Sequence, residues 1–192
     1  MSLRSLASMY GRNLGAGFVA VGVCVAGLGI AYPVAVWGVS RVTADTADGA
    51  LVYSGDCLLA STELSDGRTD GPWFFGRGEG LTNMGPNNEE LLNSINARRQ
   101  EIATREGVDP ATIPPDALTG SGSGADSGIS QEYAQLQVPR VARERGMTED
   151  EVQALVADAT VGKSFGVLGE KWVNVTKLNL SLPNGTSCES GS

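Results

Sequence analysis

Ala157 to Ser164 reads Ala-x-x-x-x-Gly-Lys-Ser, the nearest this chain comes to a phosphate-binding loop. That chemistry needs a strand feeding a glycine-rich turn, whose amides face phosphate from a helix N-terminus. Here the order is inverted: a helix pattern precedes Gly162-Lys163-Ser164 and a strand pattern follows. Ala157 also replaces the first glycine, so the segment reads as the C-terminal turn of a helix. A second candidate is Gly120-Ser121-Gly122-Ser123-Gly124-Ala125-Asp126. Its glycine amides can cradle an anion, and Asp126 can cap its own turn, hold a cation or bond a partner's backbone. Asn-x-Thr occurs at Asn174 and Asn184 and signals a glycan only in a glycosylating secretory route.

The chain has no histidine. This excludes Ser-His-Asp and Cys-His nucleophilic sites and any zinc site that uses histidine. Carboxylate chemistry stays open, as in a glycosidase-like pair, but no Asp or Glu pair stands out. Of three cysteines, Cys24 lies in an apolar segment, while Cys57 and Cys188 either pair in an oxidising compartment or remain thiols. From Arg41 onward 12 basic residues face 22 acidic ones, a net charge of -10 (12 minus 22). Polyanion binding needs clustered Lys and Arg, so this balance argues against nucleic acid as a partner.

These residues have to be placed by two different kinds of element. Leu14 to Val39 is an uninterrupted run of 26 apolar or small residues. As a helix it spans roughly 39 Å, enough to cross a hydrocarbon core of about 30 Å with some tilt. Arg4 and Arg12 precede it and Arg41 follows it, two against one, which puts the N-terminus in the cytoplasm. Ala16, Ala20, Cys24, Gly27, Ala31 and Ala35 share one face when each residue advances about 100°. Such small faces let another membrane helix approach closely. Pro33 predicts a kink near the outer end.

Beyond a polar linker at 40–49, Ala50–Tyr53 and Cys57–Ala60 read as short strands around Ser54-Gly55-Asp56. Trp73-Phe74-Phe75 reads as core packing. A helix starts at the Asn88 cap, with Leu91, Leu92, Ile95 and Ile102 as its apolar stripe, and Gly107 ends it. Ser130 caps a second helix, and Pro139 predicts a break or kink near Val138. Thr148 and Glu151 form a capping box for a third helix, with Val152, Leu155, Val156 and Ala159 on one side. Val173 to Leu182 alternates with a slip at Thr176-Lys177, which predicts a strand with a bulge. Residues 183–192 are expected to be a disordered tail.

The glycine run, followed by Ile129-Ser130 and by Gln137-Val138-Pro139-Arg140-Val141-Ala142-Arg143, resembles the signature of KdpC, the C subunit of the bacterial potassium-transporting Kdp ATPase. The likeness continues through Leu168-Gly169-Glu170, Val173-Asn174-Val175 and Leu178-Asn179-Leu180, and more weakly at Asn83-Met84-Gly85-Pro86-Asn87. The residues that carry it are Gly122, Gly124, Asp126, Ser130, Gln137, Pro139, Arg140, Asn174 and Asn179. The chain departs from that pattern at Ala125, at Ser127 and at Gly78-Glu79-Gly80, and the family's Gly-Gln-x-Phe stretch is not visible near 59–65.

The resemblance implies a non-catalytic, single-pass subunit of a potassium uptake pump at the cell membrane, with no firmly bound cofactor. Its partners would be a channel-like potassium-translocating subunit, a P-type ATPase subunit that hydrolyses ATP, a small stabilising peptide and the lipid bilayer. The family is also credited with raising the ATP affinity of the hydrolytic subunit, although the topology keeps the domain away from cytoplasmic ATP. A membrane-anchored binding or sensor domain is the rival expectation. The expected fold is α+β: a cytoplasmic N-terminus at 1–13, one transmembrane helix at 14–39, and one mixed α/β extracytoplasmic domain at 50–182.

Overall fold

The computed structural model describes residues 3–78, 84–85, 87–163 and 166–186, with side chains from Gly11 onward. The chain divides into two compact units, Met1–Asp48 and Gly49–Ser192.

The first unit is helical throughout: α1 (Leu3–Cys24), a π-helical segment Val25–Ala31, α2 (Tyr32–Ser40), a 3-10 turn Arg41–Thr43 and α3 (Ala44–Ala47). Gly11–Ala47 is long and apolar enough to cross a membrane, and its large hydrophobic side chains are exposed. Pro33 sits in the first turn of α2, directly after the π segment. A proline lacks the N–H that an α-helix interior requires, and the wider π turn absorbs that loss where the sequence predicts a kink. Residues 41–47, expected as linker, continue the helix. Arg41 closes this end with a two-pronged bond to Asp48 at 2.9 and 2.9 Å.

In the second unit β1 (Leu51–Ser54) and β2 (Cys57–Ser61) form an antiparallel hairpin, as expected from the turn at Ser54-Gly55-Asp56. The core lies further along the chain. It is built from α4 (Glu89–Glu106), α5 (Pro115–Leu118), β3 (Gly128–Ile129), α6 (Gln131–Arg145), α7 (Glu149–Asp158), β4 (Thr160–Val161), β5 (Trp172–Asn174) and α8 (Val175–Ser181). The three strands form a small antiparallel sheet in the order β3-β5-β4, with Val173 facing both Ile129 and Thr160. Tyr133, Ala134, Val138 and Val141 of α6 are buried with Val152 and Val156 of α7 and Leu178 of α8. Each of these valine and leucine side chains contributes roughly 1.5–3 kcal/mol by leaving water.

The expected caps are present. The Asn88 side chain accepts from the Glu90 and Leu91 amides, and Gly107 closes α4 in the left-handed conformation at φ 70°. The stripe of α4 differs in one position, since Leu92 faces solvent and Ala103 is buried instead. Ser130 accepts from the Tyr133 amide at 3.0 Å. Cys57 lies on β2, while its candidate partner Cys188 lies outside the described residues.

Two expectations fail. Of the break or kink expected at Pro139, the break does not occur, because α6 runs continuously from Gln131 to Arg145. Pro139 and Gln135, the residue one turn earlier whose carbonyl loses its donor, are both exposed. That carbonyl is on the solvent-facing side, where its lost donor need not be replaced by protein, while Val138 and Val141 hold the opposite face in the core. The stretch 173–182 is a strand only as far as Asn174 and is helical afterwards. The slip at Thr176-Lys177 marks a change of period, not a bulge. Val175, Leu178, Asn179 and Leu182 are buried at spacings of three and four residues, the helical repeat. Asn174 starts this helix by accepting from the Lys177 amide at 2.9 Å. Of the expected tail, residues 183–186 form a turn in which the Gly185 amide donates to Leu182 O at 2.8 Å; the remainder lies outside the described residues.

The capping box of α7 gives a pH prediction. Glu151 accepts from the Thr148 amide and hydroxyl, and the amide first and the hydroxyl second hold its carboxyl below the ordinary 4.5. A lowered carboxylate adds stability above its unfolded pKa and loses it as pH falls through the folded value. Denaturant unfolding of the full chain should therefore show this contribution intact at neutral pH and fading below about pH 4.5. Glu151→Gln should flatten that acid limb, and Thr148→Ala should cost about 1 kcal/mol at pH 7.

Candidate functional site

Residues 62–77 cross the second unit without regular secondary structure, yet Phe74 and Phe75 within them are buried. Buried amides and carbonyls need partners, and among the described residues no strand lies alongside to supply them. Side chains from α6, β5 and α8 supply them instead. Asn179, fully buried, accepts from the Phe74 amide at 2.8 Å and donates to Phe74 O at 2.9 Å. Gln137, also fully buried, accepts from the Phe75 amide at 2.8 Å and donates to Phe75 O at 3.1 Å. Each carboxamide thus pairs with one residue's amide and carbonyl, much as a neighbouring strand would.

The same grip extends in both directions. Asn174 Nδ2 and Ser127 Oγ donate to Thr62 O at 2.7 and 3.2 Å, and Thr176 Oγ1 donates to Leu64 O at 2.6 Å. The Ser65 amide donates to Ala125 O at 2.9 Å. Arg140 donates to Trp73 O at 3.0 Å, and Arg145 Nε donates to Pro72 O at 2.7 Å. Asn179 spends its remaining donor on Asp66 at 2.8 Å.

Arginines also stack on the aromatic residues. Arg68 and Arg145 stand over the Trp73 ring, 3.5 and 3.8 Å from its centre. Arg105 and Arg140 stand over Phe75 at 4.3 and 4.7 Å. Burying Arg140 requires an anion, and the fully buried Glu106 carboxylate supplies it, 2.8 Å from Arg140 and 2.7 Å from Arg105. Burial works against the Arg105 charge, but Glu106 and Tyr133 outweigh it and raise its pKa. Burial first, and neighbouring Arg68 second, lower that of Arg145.

The signature residues read from the sequence thus divide. Gln137, Arg140, Asn174 and Asn179 meet at this clamp. Ser130 caps α6 and also donates its hydroxyl to Asp116 at 2.7 Å. Asp126 accepts from the Gly128 amide at 2.9 Å and pairs with Arg77, which is the local cap considered for it. Gly124 turns with φ 71°, while Gly122 and Pro139 are exposed. Asn174 is buried, with its amide nitrogen engaged by Thr62 O. Ala16, Ala20, Cys24, Gly27, Ala31 and Ala35 are all exposed on the first unit. The π segment lies between Cys24 and Tyr32 and alters the angular step there, which shifts Ala31 and Ala35 relative to the first three. Sequence reasoning missed Glu106, Arg145, Thr176 and Asp66. A buried Arg140 demands an acidic partner, but nothing local to it singles out Glu106.

The clamp makes a sharp prediction. Gln137→Ala or Asn179→Ala leaves one buried amide and one buried carbonyl without partners, each worth about 1–3 kcal/mol. Denaturant unfolding of the full chain in detergent should show losses of roughly 2–4 kcal/mol for either variant. Asn179→Asp keeps the acceptor for Phe74 but removes both donated bonds and sets a second carboxylate against Asp66, so it should lose at least as much as Asn179→Ala.

The family described as KdpC, K+-transporting ATPase, c chain, matches residues 14–184, from the membrane helix to the turn after α8. A potassium-transporting ATPase KdpC subunit of Kineococcus radiotolerans is 39% identical over 182 residues, covering 89% of this chain and 93% of that protein. KdpC subunits of Mycobacterium tuberculosis and Polynucleobacter asymbioticus are 39% and 35% identical, each covering 80% of this chain and 88% of the relative. By its apolar N-terminal helix, its mixed helix-and-strand domain and these similarities, the chain belongs to the KdpC family of K+-transporting ATPase c chains.

Proposed function

We propose that this chain is an accessory, non-catalytic subunit of an ATP-driven potassium uptake pump, one that supports assembly and potassium entry. Family membership carries the reading, since the similar KdpC proteins are named as subunits of potassium-transporting ATPases. The clamp supports the non-catalytic part, because the signature side chains of α6 and α8 are engaged with the chain's own backbone and do not line an open site.

The proposed topology places the N-terminus in the cytoplasm, with Arg12 on the inner side and Arg41 on the outer side of the membrane helix. Ala16, Ala20, Cys24, Gly27, Ala31 and Ala35 are the proposed docking face for a channel-like potassium-translocating subunit, since small residues permit close helix approach. The second unit then sits outside the membrane near the cation entrance, beside the P-type ATPase subunit's complex and its small stabilising peptide. The charge of -10 beyond Ser40 would raise the local potassium concentration, though salt screens this beyond about 8 Å. Any gain in ATP affinity of the hydrolytic subunit is exerted through the assembly, not by contact with cytoplasmic ATP.

Reconstitution of the pump with and without this chain is the test. Omission should abolish potassium-stimulated ATPase activity and stable co-purification of the channel-like and ATPase subunits. Ala16→Leu with Ala20→Leu should lower co-purification several-fold while leaving the melting of the isolated chain unchanged. Unaltered ATPase activity and assembly without the chain would contradict the proposal.

A further inference from the structure

A cleft of about 320 Å³ opens between the 65–78 segment and α4, beside the clamp and sharing Arg68, Phe75 and Arg105 with it. Its lining includes Arg68, Arg77, Arg98 and Arg105, with Glu101 the carboxylate at its rim. Four of the 12 basic residues that follow Ser40 therefore meet in one place, in a region carrying 22 acidic residues. Glu101 pairs with Arg105 at 3.7 Å, but its side chain is 70% exposed, so solvent screens the pair.

Three of these arginines each have a carboxylate partner: Arg68 with Asp66 at 3.0 Å, Arg77 with Asp126, and Arg105 with Glu106 at 2.7 Å. Arg98 has no ion pair or hydrogen bond among the described residues. Its guanidinium lies against Gly78, where any side chain would collide with it. Arg77 keeps its Nε buried with no acceptor among the described residues. Burial of a charged donor without an acceptor is unfavourable, so the cleft wall is short of negative oxygen. Tyr133 also lines the cleft, and its hydroxyl accepts from Arg105 at 3.1 Å, which leaves its own proton free to donate.

We propose that this cleft binds a small oxyanion, with Arg98, unpaired among the described residues, as the charge and Arg77 and Tyr133 as further donors. Guanidinium groups match planar carboxylates and tetrahedral phosphate or sulfate alike through paired N–H bonds. The proposal is independent of the pump assignment, because it rests on the lining of the cleft alone.

The test is calorimetric titration of the full chain in detergent with inorganic phosphate, sulfate and acetate, each at constant ionic strength set with chloride. Saturable binding of at least one of the three is expected, with a dissociation constant on the order of 1 mM. Arg98→Gln should weaken it about tenfold or more. Arg99→Gln, on the same helix but outside the cleft, should leave it unchanged, and both variants should melt with the parent chain. Absence of saturable binding by all three anions, or equal weakening by the two variants, would overturn the proposal.

Discussion

The structure depends on satisfying one irregular, buried stretch of backbone. Phe74 and Phe75 have to be inside, because their rings complete the core and the arginine stacks, yet no strand runs beside them. Desolvating their amides and carbonyls is unfavourable unless each is paired. Gln137 and Asn179 solve this with carboxamides, the one uncharged side-chain group that both donates and accepts in the geometry of a peptide. The rest follows from that constraint. A continuous α6 is needed to aim Gln137 and Arg140 at the same segment, and a helical α8 is needed to bury Asn179 beside Leu178. Arg140 can be buried only because Glu106 is buried with it.

The sequence made local features legible and hid distant ones. Asn88, Ser130 and the Thr148-Glu151 box could be read because a cap acts within three residues. The hairpin and the membrane helix could be read because their patterns are contiguous. Pro139 misled because its cost depends on which face of the helix meets water, which the sequence does not display. Val173 to Leu182 misled because apolar residues at 173, 175, 178, 180 and 182 fit two periods at once, and tertiary burial chose the helical one after Asn174. The clamp was beyond local reading altogether, since Asn179 and Phe74 are 105 residues apart. The resemblance did single out Gln137, Arg140, Asn174 and Asn179, but as signature positions without a role. The clamp gives them one.

This division of labour bears on the proposed function. A subunit that assists a larger pump needs a membrane helix that others can approach and an outer domain with a fixed shape. The first unit presents small residues along a helix whose π segment precedes Pro33. The second unit fixes its irregular segment with side chains drawn from β5, α6 and α8, so that several elements depend on one another for rigidity. Such interlocking should make the second unit respond as a whole when any member is lost.

Native-state hydrogen exchange at Phe74 and Phe75 tests the clamp most directly. If the carboxamides hold these amides as described, both should exchange only at the rate set by global unfolding, like the core amides of α6. Exchange of either amide at the rate of an exposed loop, while α6 stays protected, would contradict the account.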